Sequence, residues 1–298
     1  MRNTFVQELV ELSRQRSNIA LVVGDLGYSV VEPFAQEFPE RFFNAGVAEQ
    51  NMAGVAAGMA SEGFHVFVYS IANFSTFRCA EQIRNDIAYH NLPVTVVSVG
   101  GGLAYGALGY SHHAIQDYAL MRTFPNMLIA APGDPFEVKA CIRYLINNPG
   151  PSYLRLGKSG EACYHSSSPS VTPGAWVRIR DGSENKVVLT TGAALQFVMN
   201  EVDKSDYKDH SICSMPIWSI ASKSLQSANI RGFEEVITVE DHLQDGGFGS
   251  WMAEACMSNS SSLGKLRIVA LSHDICGMVG EQKTLNRLGG LSLLGFQN

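Results

Sequence analysis

An α/β fold in two units, a mostly parallel-sheet domain followed by a smaller α/β domain, is what this 298-residue chain predicts. Three observations carry that prediction. Short apolar runs alternate with helical patterns along most of the chain. The runs are apolar almost without interruption, as in strands covered on both faces. The alternation breaks once, at residues 161–184, where Ser, Pro and Gly cluster in the manner of a linker or a hairpin-bearing connector. A length near 300 is also where a single core stops growing and chains divide.

The elements follow in order. Residues 5–16 read as a helix and 18–24 (NIALVVG) as a strand. The stretch 49–61 is a helix of small and apolar residues, followed by a strand at 65–70 (HVFVYS). Further helices are predicted at 76–89, 114–122 and 135–147, with strands at 93–100, 127–131 and 152–156. Strand–helix alternation of this kind predicts right-handed crossovers and a parallel sheet. Beyond the connector, strands are expected at 187–191, 211–217, 235–239 and 266–270, and helices near 192–202, 222–229 and 249–257. The last residues (GGLSLLGFQN) read as a loosely held tail. The expected division is therefore 1–160, a linker at 161–184, and 185–298.

Composition narrows the function. A formal net charge of −6 and a pI near 5.8 argue against nucleic acid or an anionic membrane as the main partner. No apolar run approaches the ~20 residues that span a bilayer, and Met1-Arg2-Asn3-Thr4 leads straight into a helix without a secretory leader. The six cysteines (79, 141, 163, 213, 256 and 276) show no metal or redox spacing, as expected of reduced thiols in a cytoplasmic protein.

Four features fall where strands end or helices begin, which is where open α/β sheets bind ligands. Glu49 opens the small-residue helix. A carboxyl group in an apolar setting holds its proton more tightly and suits hydrogen bonding to a heterocycle nitrogen; the plain alternative is an acid favoured by the helix dipole. Phe74 and Phe77, three apart at a helix start, can offer one face to a flat ring or simply fill core. Arg78, Glu81, Arg84 and Asp86, at helical spacing, read as a solvated or interface face. The glycine-rich loop 100–109 has neither dinucleotide nor Walker spacing. It ends in His112 and His113 before a predicted helix, a position that keeps an imidazole neutral and able to donate or shuttle a proton, or that makes it a cap. Arg155 and Lys158, at the end of a strand, could grip a phosphate or carboxylate or form a salt bridge. In the second unit, Glu240-Asp241-His242 precedes a glycine turn at 246–249 and reads as an interface turn, since consecutive residues rarely point together at a metal.

In order, Gly24-Asp25-Leu26-Gly27-Tyr28-Ser29, the Phe43–Met52 stretch, the Asn73–Arg84 stretch, the glycine loop to His112, Phe124-Pro125-Asn126-Met127, Pro132-Gly133-Asp134, the 151–158 segment and the 240–249 run resemble the transketolase family over nearly the whole chain. The likeness is to its C-terminal half, a pyrimidine-binding domain followed by the transketolase C-terminal domain. It implies thiamine diphosphate as cofactor, with Mg²⁺. Glu49 then matches the acid that hydrogen-bonds the aminopyrimidine ring and promotes its imino form. Phe74 and Phe77 match the aromatics packed on that ring, and Asp25 and Ser29 fall in the first cofactor-side motif. His112 matches a histidine near the substrate carbonyl, with His113 beside it. Lys158, together with Arg155, falls where the family often has an arginine for substrate phosphate.

Two departures put an ordinary pentose phosphate substrate in question: Leu108 replaces a usual acid, and Gly100 stands near a usual histidine. A larger one concerns the diphosphate-binding domain with its Gly-Asp-Gly motif, which this sequence does not contain; Asp25 lies in the wrong domain for that role. The resemblance therefore implies a split enzyme, this chain pairing with a separate N-terminal transketolase subunit as α2β2 to transfer a two-carbon ketol unit between sugars or sugar phosphates. Competing readings are the β subunit of a 2-oxoacid dehydrogenase, a relative of deoxyxylulose phosphate synthase, and, in another class, a non-catalytic scaffold partner. A nicotinamide-binding protein lacks its fingerprint.

Overall fold

The computed structural model describes residues 1–158, 160–257 and 264–293. Two sheets dominate it, one of seven strands and one of five. In the first, β1 (Ile19–Val23), β2 (Phe42–Asn44), β3 (His65–Ile71), β4 (Val94–Val99), β5 (Leu128–Ala130) and β6 (Ser152–Leu156) run parallel. In the second, β8 (Ser183–Thr190), β9 (His210–Ser214), β11 (Glu235–Leu243) and β12 (Leu266–Leu271) are parallel, and β7 (Val177–Arg180) is antiparallel on the edge. With β10 (Ile217–Trp218) on its rim, the larger sheet has the order β10-β5-β6-β4-β3-β1-β2, and the smaller β12-β11-β8-β9-β7.

Because side chains alternate along a strand, both faces of the large sheet need cover. Leu21 and Val23 join a core with Phe5 and Leu9 of α1 (Arg2–Gln15). Val22, Val66 and Val68 face the other way, toward Met52, Ala53, Ala56 and Ala57 of α3 (Glu49–Ser61). That second core runs on without a break to Trp218, Phe248 and Trp251, so the two sheets share hydrophobic packing. Each fully buried Val, Leu, Phe or Met among them contributes roughly 1.5–3 kcal/mol.

Several expectations are corrected. The run 211–217 is not one strand: Pro216 has no N–H to continue the ladder, and the chain leaves β9 to place β10 antiparallel on β5 of the other sheet. The connector 161–184 contains β7, which pairs with β9 rather than forming a hairpin with β8. The helix expected at 76–89 starts earlier, as α4 (Ala72–Thr76), and then passes through a 3₁₀ turn (Phe77–Cys79), α5 (Ala80–Gln82) and a π-turn (Ile83–Ala88). Ser75 and Thr76 return their hydroxyls to carbonyls one turn back, a local competition that bends helices. The small-residue helix α3 is buried on one face only, with Asn51, Val55 and Gly58 outside. In the supposed tail, Leu291 and Leu293 are buried; residues 294–298 lie outside the described residues. Two short elements, α2 (Glu32–Glu37) and β2, went unpredicted.

Candidate active site at the carboxyl ends of the parallel strands

Glu49 is the first residue of α3, and its side chain is 3% exposed. The Ser70 hydroxyl, at the end of β3, lies 3.5 Å from it. The setting is not purely apolar, however. Arg78 donates to both carboxylate oxygens, at 3.1 and 3.3 Å, and its guanidinium lies 4.0 Å from the centre of the Phe74 ring. The expected charge face containing Arg78 is thereby corrected: the 3₁₀ turn at 77–79 rotates Arg78 off the helical register and over Glu49. Sequence reasoning missed this residue because the spacing argument assumed an unbroken helix.

Phe74 also meets the His112 imidazole edge-on, with centroids 5.0 Å apart. His112 closes a 3₁₀ turn (Tyr110–His112), and the next α-helix, α6 (Asp117–Met121), begins only five residues later. A helix N-terminus therefore does not set its charge. Partial burial, then the neighbouring Arg78 cation and His113, hold its pKa below the ordinary imidazole value. Ser111 fixes Nδ1 at 3.0 Å, and Asn73 Nδ2 donates to the Ser111 carbonyl at 2.8 Å, tying the loop to α4. His113 is buried with Nε2 3.2 Å from the Gly106 carbonyl, so it braces the loop rather than facing the site. Phe77 is 44% exposed.

Asp25 and Ser29 follow β1 and carry positive φ values of 54° and 64°, a conformation most residues avoid. Asp25 is held by Asn44 Nδ2 at 2.9 Å and the Tyr28 hydroxyl at 3.0 Å. These bonds lower its pKa. The loop thus sits beside the end of β2, on the approach to Glu49.

Arg155 does not fit the expected substrate-binding role. It is 2% exposed, and its donors are committed: Nε to Asp117 at 2.7 Å, Nη1 to Asp241 at 2.5 Å, and Nη2 to the Ala114 carbonyl at 2.8 Å. Asp241 belongs to β11, so this bond fastens the two sheets together. Glu240 beside it accepts from the backbone N–H groups of Phe248 and Gly249 at 2.6 and 2.7 Å, and thus caps α10 (Phe248–Cys256). His242 stacks on Tyr118 at 5.3 Å. The triplet is an interface, as expected, but within one chain.

The glycine loop serves the same network. A Cβ on Gly101 would collide with Arg155, and one on Gly102, whose φ is 66°, with Asp241. Gly100 has φ 80°, and the Tyr105 ring fills the space a side chain there would take. That ring lies 5.4 Å from the Lys158 ammonium. Leu108 is 58% exposed on the same loop.

An acid, an aromatic ring and an imidazole thus converge where the parallel strands end. Residues 1–160 match the model of the transketolase pyrimidine-binding domain. The chain belongs to the transketolase family, whose enzymes depend on thiamine diphosphate. It is 34% identical over 294 residues to a putative transketolase C-terminal section of Methanocaldococcus jannaschii, covering 98% of this chain and 92% of that one. It is 34% identical over 265 residues to a subunit of the apulose-4-phosphate transketolase of Phocaeicola vulgatus, covering 87% and 84%. Among solved structures, a split-gene transketolase described as an inactive β4 tetramer superposes with TM-score 0.81 at 30% identity, covering 98% of this chain and 93% of that one. Among the described residues no helix is long and apolar enough to cross a membrane.

Proposed function

We propose that this chain is the C-terminal, pyrimidine-binding subunit of a two-component transketolase that moves a two-carbon ketol unit between sugars. The observation that carries the reading is the gap between the Glu49 carboxylate and the Phe74 ring. A planar, donor-bearing guanidinium already occupies it, which is the shape and hydrogen-bonding character an aminopyrimidine would bring. The residues therefore fit the group. Thiamine diphosphate, when bound, supplies the nucleophilic carbon that protein side chains lack. Glu49 would hydrogen-bond the ring nitrogen through its carboxyl oxygen, and Phe74 and Phe77 offer stacking surface. Asp25 and Ser29 shape the loop beside it. His112, held uncharged, donates a hydrogen bond toward the substrate carbonyl, with His113 bracing it from behind. Lys158 is the cation available to a substrate phosphate, in a site altered by Leu108 and by Tyr105 over Gly100.

The diphosphate and Mg²⁺ fall to a separate N-terminal transketolase subunit in an α2β2 assembly. Relatives described as a C-terminal section and as a transketolase subunit match this chain over most of their length, which supports that division. The outer face of α3 supports it too. Cβ atoms on Gly54 and Gly58 would meet nothing within 4 Å, and Phe43, Val55 and Phe64 line a shallow apolar groove of about 460 Å³ beside them.

The test is reconstitution. The purified chain is expected to show no ketol transfer alone and to gain it with the N-terminal subunit, thiamine diphosphate and Mg²⁺; full activity from the isolated chain would overturn the split. Glu49→Gln should lower turnover by ~10²-fold or more, the scale of a lost proton-transfer group, while assembly by light scattering is unchanged.

A further inference from the structure

The surface around the His112 turn is oilier than the binding of a hydroxylated sugar calls for. Leu108, Tyr110, Met278 and Val279 are all exposed, Val279 to 64%. Apolar side chains gathered together on a wet surface, rather than scattered singly, mark a place where something binds.

These four come from both units of the chain and meet at one glycine. Gly106–Leu108 and Tyr110–His112 are consecutive 3₁₀ turns joined at Gly109. The Gly109 carbonyl accepts the His112 N–H at 2.9 Å, and a Cβ added to Gly109 would lie 3.6 Å from a Val279 methyl. Val279 therefore flanks the residue on which the His112 turn rests.

The segment that carries Val279 is pinned there. The Gly280 N–H donates to the Gly106 carbonyl at 3.3 Å, the same carbonyl that His113 Nε2 meets at 3.2 Å. A Cβ on Gly106 would strike the Gly280 carbonyl and the Leu285 side chain, each at 2.6 Å, and Leu285 is itself buried. The rim is thus in place before a ligand arrives, which lowers the ordering cost of binding.

Polar groups beside the rim are already paired. The Tyr110 hydroxyl donates to Gln116 at 3.2 Å. Asn73 Nδ2 donates to the Ser111 carbonyl, and the Ser111 hydroxyl meets His112 Nδ1. Leu108 and Val279 have no hydrogen-bonding atom in their side chains, and Met278 has only a weakly accepting sulfur. A substrate hydroxyl set against them loses water without gaining a partner, which costs free energy. A methylene group in the same place gains by leaving water.

We infer that this rim selects a deoxygenated sugar, an aldose acceptor with a methylene carbon beside its aldehyde, and that Leu108 and Val279 determine the choice. The inference rests on the ketol transfer proposed above, in which His112 faces the substrate carbonyl.

The test uses the enzyme reconstituted with the N-terminal subunit, thiamine diphosphate and Mg²⁺, with hydroxypyruvate as donor. Hydroxypyruvate loses its carboxylate as CO₂, and its remaining two-carbon ketol unit, with one proton taken up, bonds to the aldehyde carbon of the acceptor. The acceptors are 2-deoxyribose 5-phosphate and ribose 5-phosphate, which differ by one oxygen. The ratio of their kcat/KM values is read after correction for the free aldehyde in each. The native enzyme is expected to favour the deoxy sugar by ~10-fold, the scale of one group in an apolar contact. Leu108→Asp gives the hydroxyl an acceptor and should move the ratio by ~10-fold toward ribose 5-phosphate. Val279→Ser, across Gly109, should move it the same way by less. A native preference for ribose 5-phosphate, or a ratio unmoved by both variants, would overturn the inference and leave ketol transfer standing. Loss of assembly in either variant, read by light scattering, would assign the rim to subunit contact and overturn it too. No transfer to either sugar would sink the proposed function, and this inference with it.

Discussion

Arg78 and Arg155 are built alike and do opposite things. Each holds a buried carboxylate, Glu49 in one case and Asp117 with Asp241 in the other. Each lays its guanidinium over an aromatic ring, Phe74 at 4.0 Å and Tyr118 at 4.4 Å. Arg155 is sealed, with all its nitrogens engaged, and bolts one sheet to the other. Arg78 is 48% exposed, and only Nη1 is bonded to Glu49. Water can replace it at small cost, so the Glu49–Phe74 gap can open to another planar group. Burial, not pair chemistry, separates the fastener from the seat.

The largest expected effect breaks the fastener. Arg155→Met strands Asp117 and Asp241 as buried, unpaired acids and should cost about 3–5 kcal/mol in denaturant unfolding. Adding Asp117→Asn and Asp241→Asn should recover much of that loss. A single variant as stable as the native chain would show that the network is not what joins the sheets.

An intermediate case sharpens the comparison. His165 pairs with Asp134 at 3.1 Å in a half-buried setting, and that hydrogen bond raises the His165 pKa above 6.5. Its contribution is complete below pH 6.5 and is lost as pH rises through the raised value. Glu137 acts in the same direction: burial lifts its pKa from 4.5 to about 7, so the folded state's preference for its neutral form is lost as pH rises through about 7. Burial alone would also raise Asp134, but His165 and backbone N–H groups outweigh it and lower its pKa; its own contribution is lost only in acid. Thermal midpoints should therefore fall by a few degrees from about pH 6 to about pH 8.5, and His165→Gln should flatten that slope. A midpoint that rises across the window would contradict the assignment.

The smallest effect belongs to the seat. Arg78→Ala should change unfolding free energy by about 1 kcal/mol or less, since the cation is half in water. A loss as large as that of Arg155→Met would erase the distinction between the two arginines.

Much of this was legible beforehand. The apolar runs at 18–24, 65–70, 93–100 and 152–156 became β1, β3, β4 and β6 because a strand covered on both faces has no polar side to disguise it. Glu49 stood out as a lone acid at the mouth of an oily helix. The failures share a cause. Arg155 read as a substrate cation because sequence does not reveal that Asp241, 86 residues on, comes to meet it. The loop 100–109 gave no phosphate motif, and its glycines prove to make room for Arg155, Asp241 and Tyr105. Arg78 was misread because a hydroxyl-bent helix start altered its register.

Strand–helix order and the family likeness follow from the residues alone, because hydrophobic periodicity and side-chain chemistry are local properties. Which cation faces which carboxylate follows only from the folded chain. So do the depth of each pair and the meeting of Val279 and Gly280 with the His112 loop. Those outcomes depend on contacts between residues far apart in the chain, whose strength is set by how much water packing leaves between them.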